Sequence, residues 1–300
     1  MAIRIAVTGA QGQVVTSLLE RASSTAEIVA LGRPKLDLMD RDSVLSALRD
    51  SRCDAIVGAA AYTAVDKSEQ EPEIAMRVNG AGAGFVAEAA AELGVPLVHI
   101  STDYVFDGTA ARPYREDDPT APLGVYGASK LEGETRVLAA CPGATILRTA
   151  WVYSPFGANF VRTMLRLGET REEVGVVADQ LGNPTSALDI ADATLAVVTR
   201  LAQDADPALR GVFHMTGSGE ASWADVAEAI FARAAEHGRA PVRVRRITTA
   251  DYPTPAKRPA NSRLDNSKLA RLHGVALPDW RASLAACVDR LLAAAPPRGA

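Results

Sequence analysis

Short, continuous apolar runs alternate along the first half of the chain with longer segments whose apolar residues return every three or four positions. IRIAVT, EIVAL, DAIVGAA, VPLVHI and ATILRTA are the runs, and GQVVTSLLERA, DRDSVLSALRD, EIAMRVNGAGAGFVAEAAAEL and GASKLEGETRVLAA are the segments between and after them. Runs that are apolar on both faces and separated by helices predict a parallel sheet covered on both sides, a doubly wound α/β fold. Beyond about residue 150 the rhythm loosens. Proline-containing loops (SPFG, LGNPTS, DYPTPAKRPANS) separate two further helical segments, ALDIADATLAVVTRLA and ASWADVAEAIFARAAEHG. The pattern predicts a Rossmann domain over residues 1–150 plus about 187–216. A smaller, interleaved C-terminal substrate-binding lobe is expected over about 151–186 plus 217–292. Pro296-Pro297 and the residues after them read as a frayed tail.

Composition narrows the function. Apolar residues make up 48% and charged residues 23% of the 300, as in an ordinary globular protein. A net charge of −4 gives no reason to expect nucleic acid or an anionic membrane surface as a partner. No apolar run reaches spanning length, and MAIRIAVTGA enters a strand without the apolar core of a signal peptide, so a cytoplasmic protein is expected. Cys53, Cys141 and Cys287, and the four histidines, are scattered without metal-ligand spacing, so no metal site is expected.

The first strand exits into TGAQGQVV. Gly9 and Gly12 have the spacing of a dinucleotide turn, in which backbone approaches a pyrophosphate at a helix N-terminus. The second strand ends at Leu31-Gly32-Arg33. An acidic residue there would hold the ribose 2′-hydroxyl of NAD; Arg33 suits a 2′-phosphate, which favours NADPH with NADH as the second candidate. Asp37 and Asp40 follow in KLDLMD, and Asp40 is equally placed to cap the next helix.

Of the six tyrosines, only Tyr126, in YGASK, is followed four residues later by lysine, Lys130. On a helix this spacing shares one face. A free phenol titrates near ~10, and a neighbouring cation lowers that value and makes it a better-matched general acid. STDYVFDG leaves the fourth strand at its carboxyl end, where doubly wound sheets bind ligands. Thr102 there can hold a carbonyl oxygen beside Tyr126. Thr102, Tyr126 and Lys130 next to a nicotinamide make a ketone-reducing site: hydride reaches the carbonyl carbon, and Tyr126 protonates the alkoxide. Asp103, Tyr104 and Phe106 would shape that site.

TGAQGQ, AAAYTAVDKSE, STDYVFDG, YGASKLEGE, RTAWVYSPFGANFV, VVADQLGNPT and RPANSRLD occur in that order. Together they resemble the dTDP-4-dehydrorhamnose reductases, extended-type members of the short-chain dehydrogenase/reductase superfamily, over nearly the whole chain. The resemblance implies reduction of the 4-keto group of dTDP-4-dehydro-β-L-rhamnose by NAD(P)H. It implies Thr102, Tyr126 and Lys130 as the catalytic set, and Thr63, Ala64 and Val65 with Trp151 against the sugar. Asn159, Arg258 and Asn261 are further candidates for the nucleotide diphosphate side, and Asp103 and Phe106 complete the substrate set. The cofactor candidates are Gly9, Gln11, Gly12, Gln13, Arg33, Asp37, Leu38, Ala60, Ala61 and Tyr62, with Tyr126 and Lys130. Three positions depart from the family pattern: Val15 where a glycine is usual, Gly58 where asparagine is usual, and Ser17 near an acid that in some relatives helps bridge a metal-linked dimer. A monomer or a homodimer without that metal is therefore expected. Two other assignments share the scaffold. One is a sister reductase of another dTDP-4-keto-6-deoxysugar, such as in dihydrostreptose formation. The other is a non-catalytic regulatory subunit, against which the intact Thr102, Tyr126 and Lys130 argue. Dehydratases of this fold carry Asp-Glu after the threonine, where this chain has Asp103-Tyr104.

Overall fold

The structure, a computed structural model, describes residues 2–294, so the tail expected at Pro296-Pro297 lies outside the described residues. Strands β1 (Ile3–Thr8), β2 (Ala26–Leu31), β3 (Ala55–Gly58), β4 (Leu97–Thr102), β5 (Thr145–Thr149) and β10 (Gly211–His214) form one six-stranded sheet. Its order is β10-β5-β4-β3-β1-β2, and every neighbouring pair is parallel. From β1 the chain passes to β2 on one side and then crosses back to β3 on the other. The crevice at that reversal, beyond the carboxyl ends of β1 and β3, is where such sheets bind ligands.

Both faces are covered, which is why the strands are apolar throughout. Helices α1 (Gln13–Glu20) and α8 (Ala187–Gln203) pack Val15, Leu18, Ile190, Val197 and Val198 against one face. Helices α2 (Arg41–Ser51), α5 (Gly82–Leu93) and α6 (Val125–Ala140) cover the other with Val44, Leu48, Val86 and Val137. Asp40 does cap α2, accepting from the amides of Asp42 and Ser43.

The long helical segment expected over EIAMRVNGAGAGFVAEAAAEL is not uniform. After the short α3 (Val65–Ser68), α4 (Pro72–Ala75) runs into a π-helical turn, Met76–Ala81, and then into α5. Close packing accompanies the turn. A Cβ on Gly82 would lie 2.7 Å from the Leu38 carbonyl oxygen, and one on Gly133 of α6 only 2.2 Å from the Asn79 carbonyl oxygen. Such single-turn bulges re-aim side chains, often at functional sites, and this one turns Asn79 inward.

The second core is built from β6 (Val152–Tyr153), α7 (Phe160–Leu167), β7 (Glu173–Val177), β8 (Leu181–Gly182), β9 (Thr185–Ser186), β11 (Ala221–Ser222), α9 (Trp223–Glu236), β12 (Arg243–Ile247), β13 (Asn261–Ser262) and α11 (Trp280–Ala293). Helices α7, α9 and α11 enclose Val161, Met164, Ile230, Trp280, Leu284 and Val288. Parallel pairing of β6 with β9 leads the chain back into α8. One element falls outside the expected division. Helix α10 (Ser267–His273) lies within the range assigned to the smaller lobe, yet Leu269, and Leu277 after it, join the core of the large sheet. The Lys268 ammonium reaches the Val212 carbonyl at 2.7 Å, and His273 meets Phe213 edge-on, so this helix closes the β10 edge.

Candidate active site

The C-terminal end of β4 and the first turns of α6 form the centre. Thr102 ends β4; a 3-10 turn, Asp103–Val105, follows, and Tyr126 lies in the first turn of α6. The Thr102 side chain accepts from the Tyr104 amide and donates to Asp103 Oδ1 at 3.0 Å. Gly127 makes the close approach of α6 to this turn feasible, because a Cβ there would lie 2.1 Å from the Tyr104 carbonyl oxygen. The Tyr104 and Tyr126 rings meet edge to face, with centroids 5.4 Å apart.

The electrostatics differ from the simple expectation that lysine lowers the phenol. Burial, then the Asp103 charge, pushes the Tyr126 phenol up, while the Thr102 hydroxyl works the other way. Asp103 is itself buried, and this raises its carboxyl to about 6. The Lys130 ammonium donates to the Ile100 carbonyl at 2.8 Å and lies 3.4 Å from His99 Nε2. Burial pulls it down to about 8, and the Glu134 carboxylate opposes that fall.

The nucleotide end is a cradle of bare backbone. Gly9 has φ +104, and a Cβ there would lie 3.1 Å from Val15 Cγ2; a Cβ on Gly32 would lie 2.9 Å from Ala10 Cβ and 3.0 Å from its amide nitrogen. The N-cap of α1 is Gly12, without a side-chain cap, so the first amides of the helix stay open to an anion. The residues present therefore fit a dinucleotide. Val15, the departure from the usual glycine, is buried and fills the space beneath the turn. The Thr8 hydroxyl accepts from the Ala59 and Ala60 amides, which holds the segment after β3 against the end of β1. Gln11 and Arg33 are exposed beside it. The Asp37 carboxylate accepts from the Met39 amide, and Leu38 is buried in the core. Gln13 is turned to the protein: its carbonyl accepts from the Ser154 hydroxyl and the Asn159 amide. Gly58 explains itself, since a Cβ would lie 2.8 Å from His99 Nδ1.

Asn79, which no sequence motif singled out, binds the two halves together. Its oxygen accepts from the Tyr62 amide at 2.7 Å, and its nitrogen donates to the Tyr62 carbonyl and to the Ser129 hydroxyl. Ser129 sits beside Lys130 on α6, so Asn79 fixes the Ala60-Ala61-Tyr62 segment to the helix carrying Tyr126. The π-helical turn was its only signal, and a turn of that kind is not legible in spacing.

On the substrate side, Thr63 and Ala64 are exposed and Val65 is half-buried. Trp151 has φ +48, a conformation costly for a bulky residue. Its ring lies over Gly182, where a Cβ would come within 2.4 Å, and stacks on Trp223 at 3.7 Å with Phe160 against the far ring. Trp223 and Phe160 extend a wall of which the sequence suggested only Trp151. The Arg258 guanidinium pairs with Asp66 at 2.8 Å and reaches the Tyr104 hydroxyl, so a loop of the smaller lobe meets the catalytic turn.

Three expected substrate contacts are used inside the protein. Phe106 is buried and stacked on Tyr114 at 4.2 Å, with the Arg148 guanidinium 5.1 Å from its ring centre, so it packs in the interior instead of lining the cleft. Asn261 is buried, donates to the Ala110 and Arg112 carbonyls, and accepts from Arg263. Asn159 caps α7 and tethers the 154–156 loop to Gln13.

A doubly wound parallel sheet with an open glycine turn, and Thr, Tyr and Lys gathered at the end of its fourth strand, defines an oxidoreductase of the short-chain dehydrogenase/reductase class. The profile of the RmlD substrate binding domain matches residues 3–293. The dTDP-4-dehydrorhamnose reductase of Sinorhizobium fredii is 52% identical over 290 residues, 97% of this chain and 98% of that protein. The chain belongs to the dTDP-4-dehydrorhamnose reductase family. A crystal structure of such a reductase from Clostridium acetobutylicum is 38% identical, with a TM-score of 0.89 over 96% of this chain and 99% of that one. That of the Bacillus anthracis enzyme, in complex with NADP, is 35% identical, with a TM-score of 0.89 over 97% and 100%.

Proposed function

We propose that the protein reduces the 4-keto group of dTDP-4-dehydro-β-L-rhamnose with NADPH, giving dTDP-β-L-rhamnose. The observation that carries this reading is the convergence of Thr102, Tyr126 and Lys130 at the end of β4, in a chain of this family. The Gly9–Gly12 turn and the amides opening α1 would hold the pyrophosphate, with Arg33 near the 2′-phosphate. NADPH, when bound, supplies the hydride. Tyr126 keeps its proton until the substrate oxygen gains charge, because its buried setting disfavours phenolate. The Thr102 hydroxyl orients that oxygen. The Lys130 ammonium offsets the desolvation of a phenolate as the proton leaves. Trp151 and Trp223 exclude water from the sugar's face.

The three free cysteines fit a reducing cytoplasm, and no helix among the described residues is long and apolar enough to cross a membrane.

The test follows NADPH absorbance when dTDP-4-dehydro-L-rhamnose is generated in place from dTDP-glucose by the dehydratase and epimerase. The expected result is a rapid fall that disappears when the epimerase is omitted. No fall, with NADPH still bound, overturns the assignment of the sugar. Arg33→Asp is expected to shift the kcat/KM preference from NADPH toward NADH; an unchanged ratio would remove Arg33 from the 2′-phosphate site.

A further inference from the structure

Tyr126, Lys130 and Glu134 follow one another at intervals of four on α6 and share the face turned to β4. Two consecutive residues of that strand hold the second and third. The Ile100 carbonyl takes the Lys130 ammonium at 2.8 Å, and the Ser101 hydroxyl donates to Glu134 Oε1 at 2.5 Å. From β5, Arg148 grips the same carboxylate with both arms, Nε to Oε1 at 2.9 Å and Nη2 to Oε2 at 2.6 Å. The register places Ser101, Arg148 and His214 side by side across β4, β5 and β10. We propose that Glu134, clamped by Arg148 and Ser101, is a positioning residue of the reducing centre: it seats the catalytic helix on the sheet and keeps the Lys130 side chain cationic. This rests on the roles given above to Tyr126 and Lys130.

Burial gives the pair its meaning. Its side chains are 5% and 4% exposed, and a buried ion pair is a poor device for stability alone, since apolar residues of similar size serve as well or better. What the pair adds is fixed geometry and a fixed negative charge one turn beyond Lys130. Among the described residues Glu134 is the carboxylate paired with Arg148. Beside Arg148, His214 is held neutral by burial and by the guanidinium itself. The titratable groups around Lys130 are Tyr126 and Glu134, one turn away on either side along its own helix, and His99 on β4; Arg148 on β5 is bound to Glu134, and Glu69 accepts from the Val125 amide at the helix start. The π-helical turn and α5 present Asn79, Ala83 and small glycines to α6, none of them charged. Glu134 is thus the anion whose loss is felt by Lys130, and its pull opposes the effect of burial.

The test is the pH profile of kcat, from pH 6 to 10, for wild type, Lys130→Met, Glu134→Gln, Arg148→Met and the double variant Glu134→Gln/Arg148→Met. Folding is checked by circular dichroism and NADPH affinity by fluorescence titration. If a protonated Lys130 supports turnover, losing the carboxylate moves the alkaline limb to lower pH. Glu134→Gln is then expected to lose roughly tenfold more activity at pH 9 than at pH 7. Arg148→Met leaves the carboxylate uncompensated and moves the limb the opposite way. The double variant, with no charge left unpaired in the interior, keeps the fold if a single one does not, and its limb lies below the wild-type position. NADPH affinity changes by less than about threefold in the three clamp variants, because the polar partners of Glu134 are Arg148 and Ser101 and none belongs to the glycine turn. Limbs that stay at the wild-type position in the folded variants, with only thermal stability changed, overturn the proposal and leave the pair a packing element. If Lys130→Met retains the wild-type alkaline limb, the role given to Lys130 fails instead, which separates the two ideas.

Discussion

Tyr126 is a buried phenol whose neighbours, Asp103 above all, resist its ionisation. In the proposed reaction this keeps it protonated at neutral pH, ready to donate to the substrate oxygen. Tyr126→Phe keeps the ring against Tyr104 and removes the donor. Turnover should fall by about 10²–10⁴-fold, while NADPH binding by fluorescence titration stays within twofold or so; near-normal turnover would sink the mechanism. Trp151 is expected to act on binding: Trp151→Ala should raise KM for the nucleotide sugar by roughly tenfold, with a smaller change in kcat. The positions of Thr102, Tyr126 and Lys130 were legible because each sits where a short-range rule puts it, at a strand's end or four residues along a helix. Asn159, Asn261 and Phe106 were suggested as ligand contacts by their type and motif alone. Their partners (Gln13, the Ala110 carbonyl and, for Phe106, the His214 ring) come from distant parts of the chain, so nothing local could show that their groups were already taken.

Helix α6 is held against its neighbours without slack. Gly133 lies against the Asn79 carbonyl, and Asn79 bridges Tyr62 to Ser129. Gly133→Ala would have to push α6 and the π-helical turn apart, at about 1–3 kcal/mol, as overpacked sites cost. Both the thermal midpoint and kcat should fall, since Tyr126 and Lys130 move with the helix; a variant with unchanged midpoint would show that the contact yields freely. The elements themselves were readable from periodicity: the apolar runs became strands and the amphipathic segments helices. The π-helical turn was not, because it depends on how Gly80, Gly82 and Gly84 let α5 approach Leu38 and α6.

The molecule as a whole carries buried bases in its large sheet. His99 and His214 are both kept neutral by burial, His214 down to about 3. A group whose folded value is depressed binds its proton more weakly folded than unfolded. The stability it contributes is present above the unfolded value, near 6.5, and is lost as pH falls toward the folded one. For His214 the loss between pH 6.5 and 5 is on the order of 2 kcal/mol. Asp103 works the other way: its folded value, about 6, lies above its ordinary 3.8, so acidification favours the folded state through it. His273 is depressed by burial like the other two histidines, and Asp189 is raised by burial like Asp103; the three histidines outweigh the two carboxyls over this range, and the urea midpoint should drop from pH 7.5 to pH 5. A midpoint that holds or rises would contradict the burial argument. The division into two units was only partly readable, because α10 lies in the second by position and in the first by packing.

The sequence by itself determined the doubly wound sheet, the glycine turn and the places of Thr102 at a strand's end and of Tyr126 and Lys130 one turn apart on a helix, because each follows from a period or spacing that the backbone enforces locally. Tertiary structure alone decided that Asn79 joins the cofactor segment to the catalytic helix, that Arg148 closes on Glu134, and that Phe106 lies inside. Each of these depends on which distant strand or helix comes within a hydrogen bond's reach, and in a parallel sheet those neighbours are set by crossovers of tens of residues.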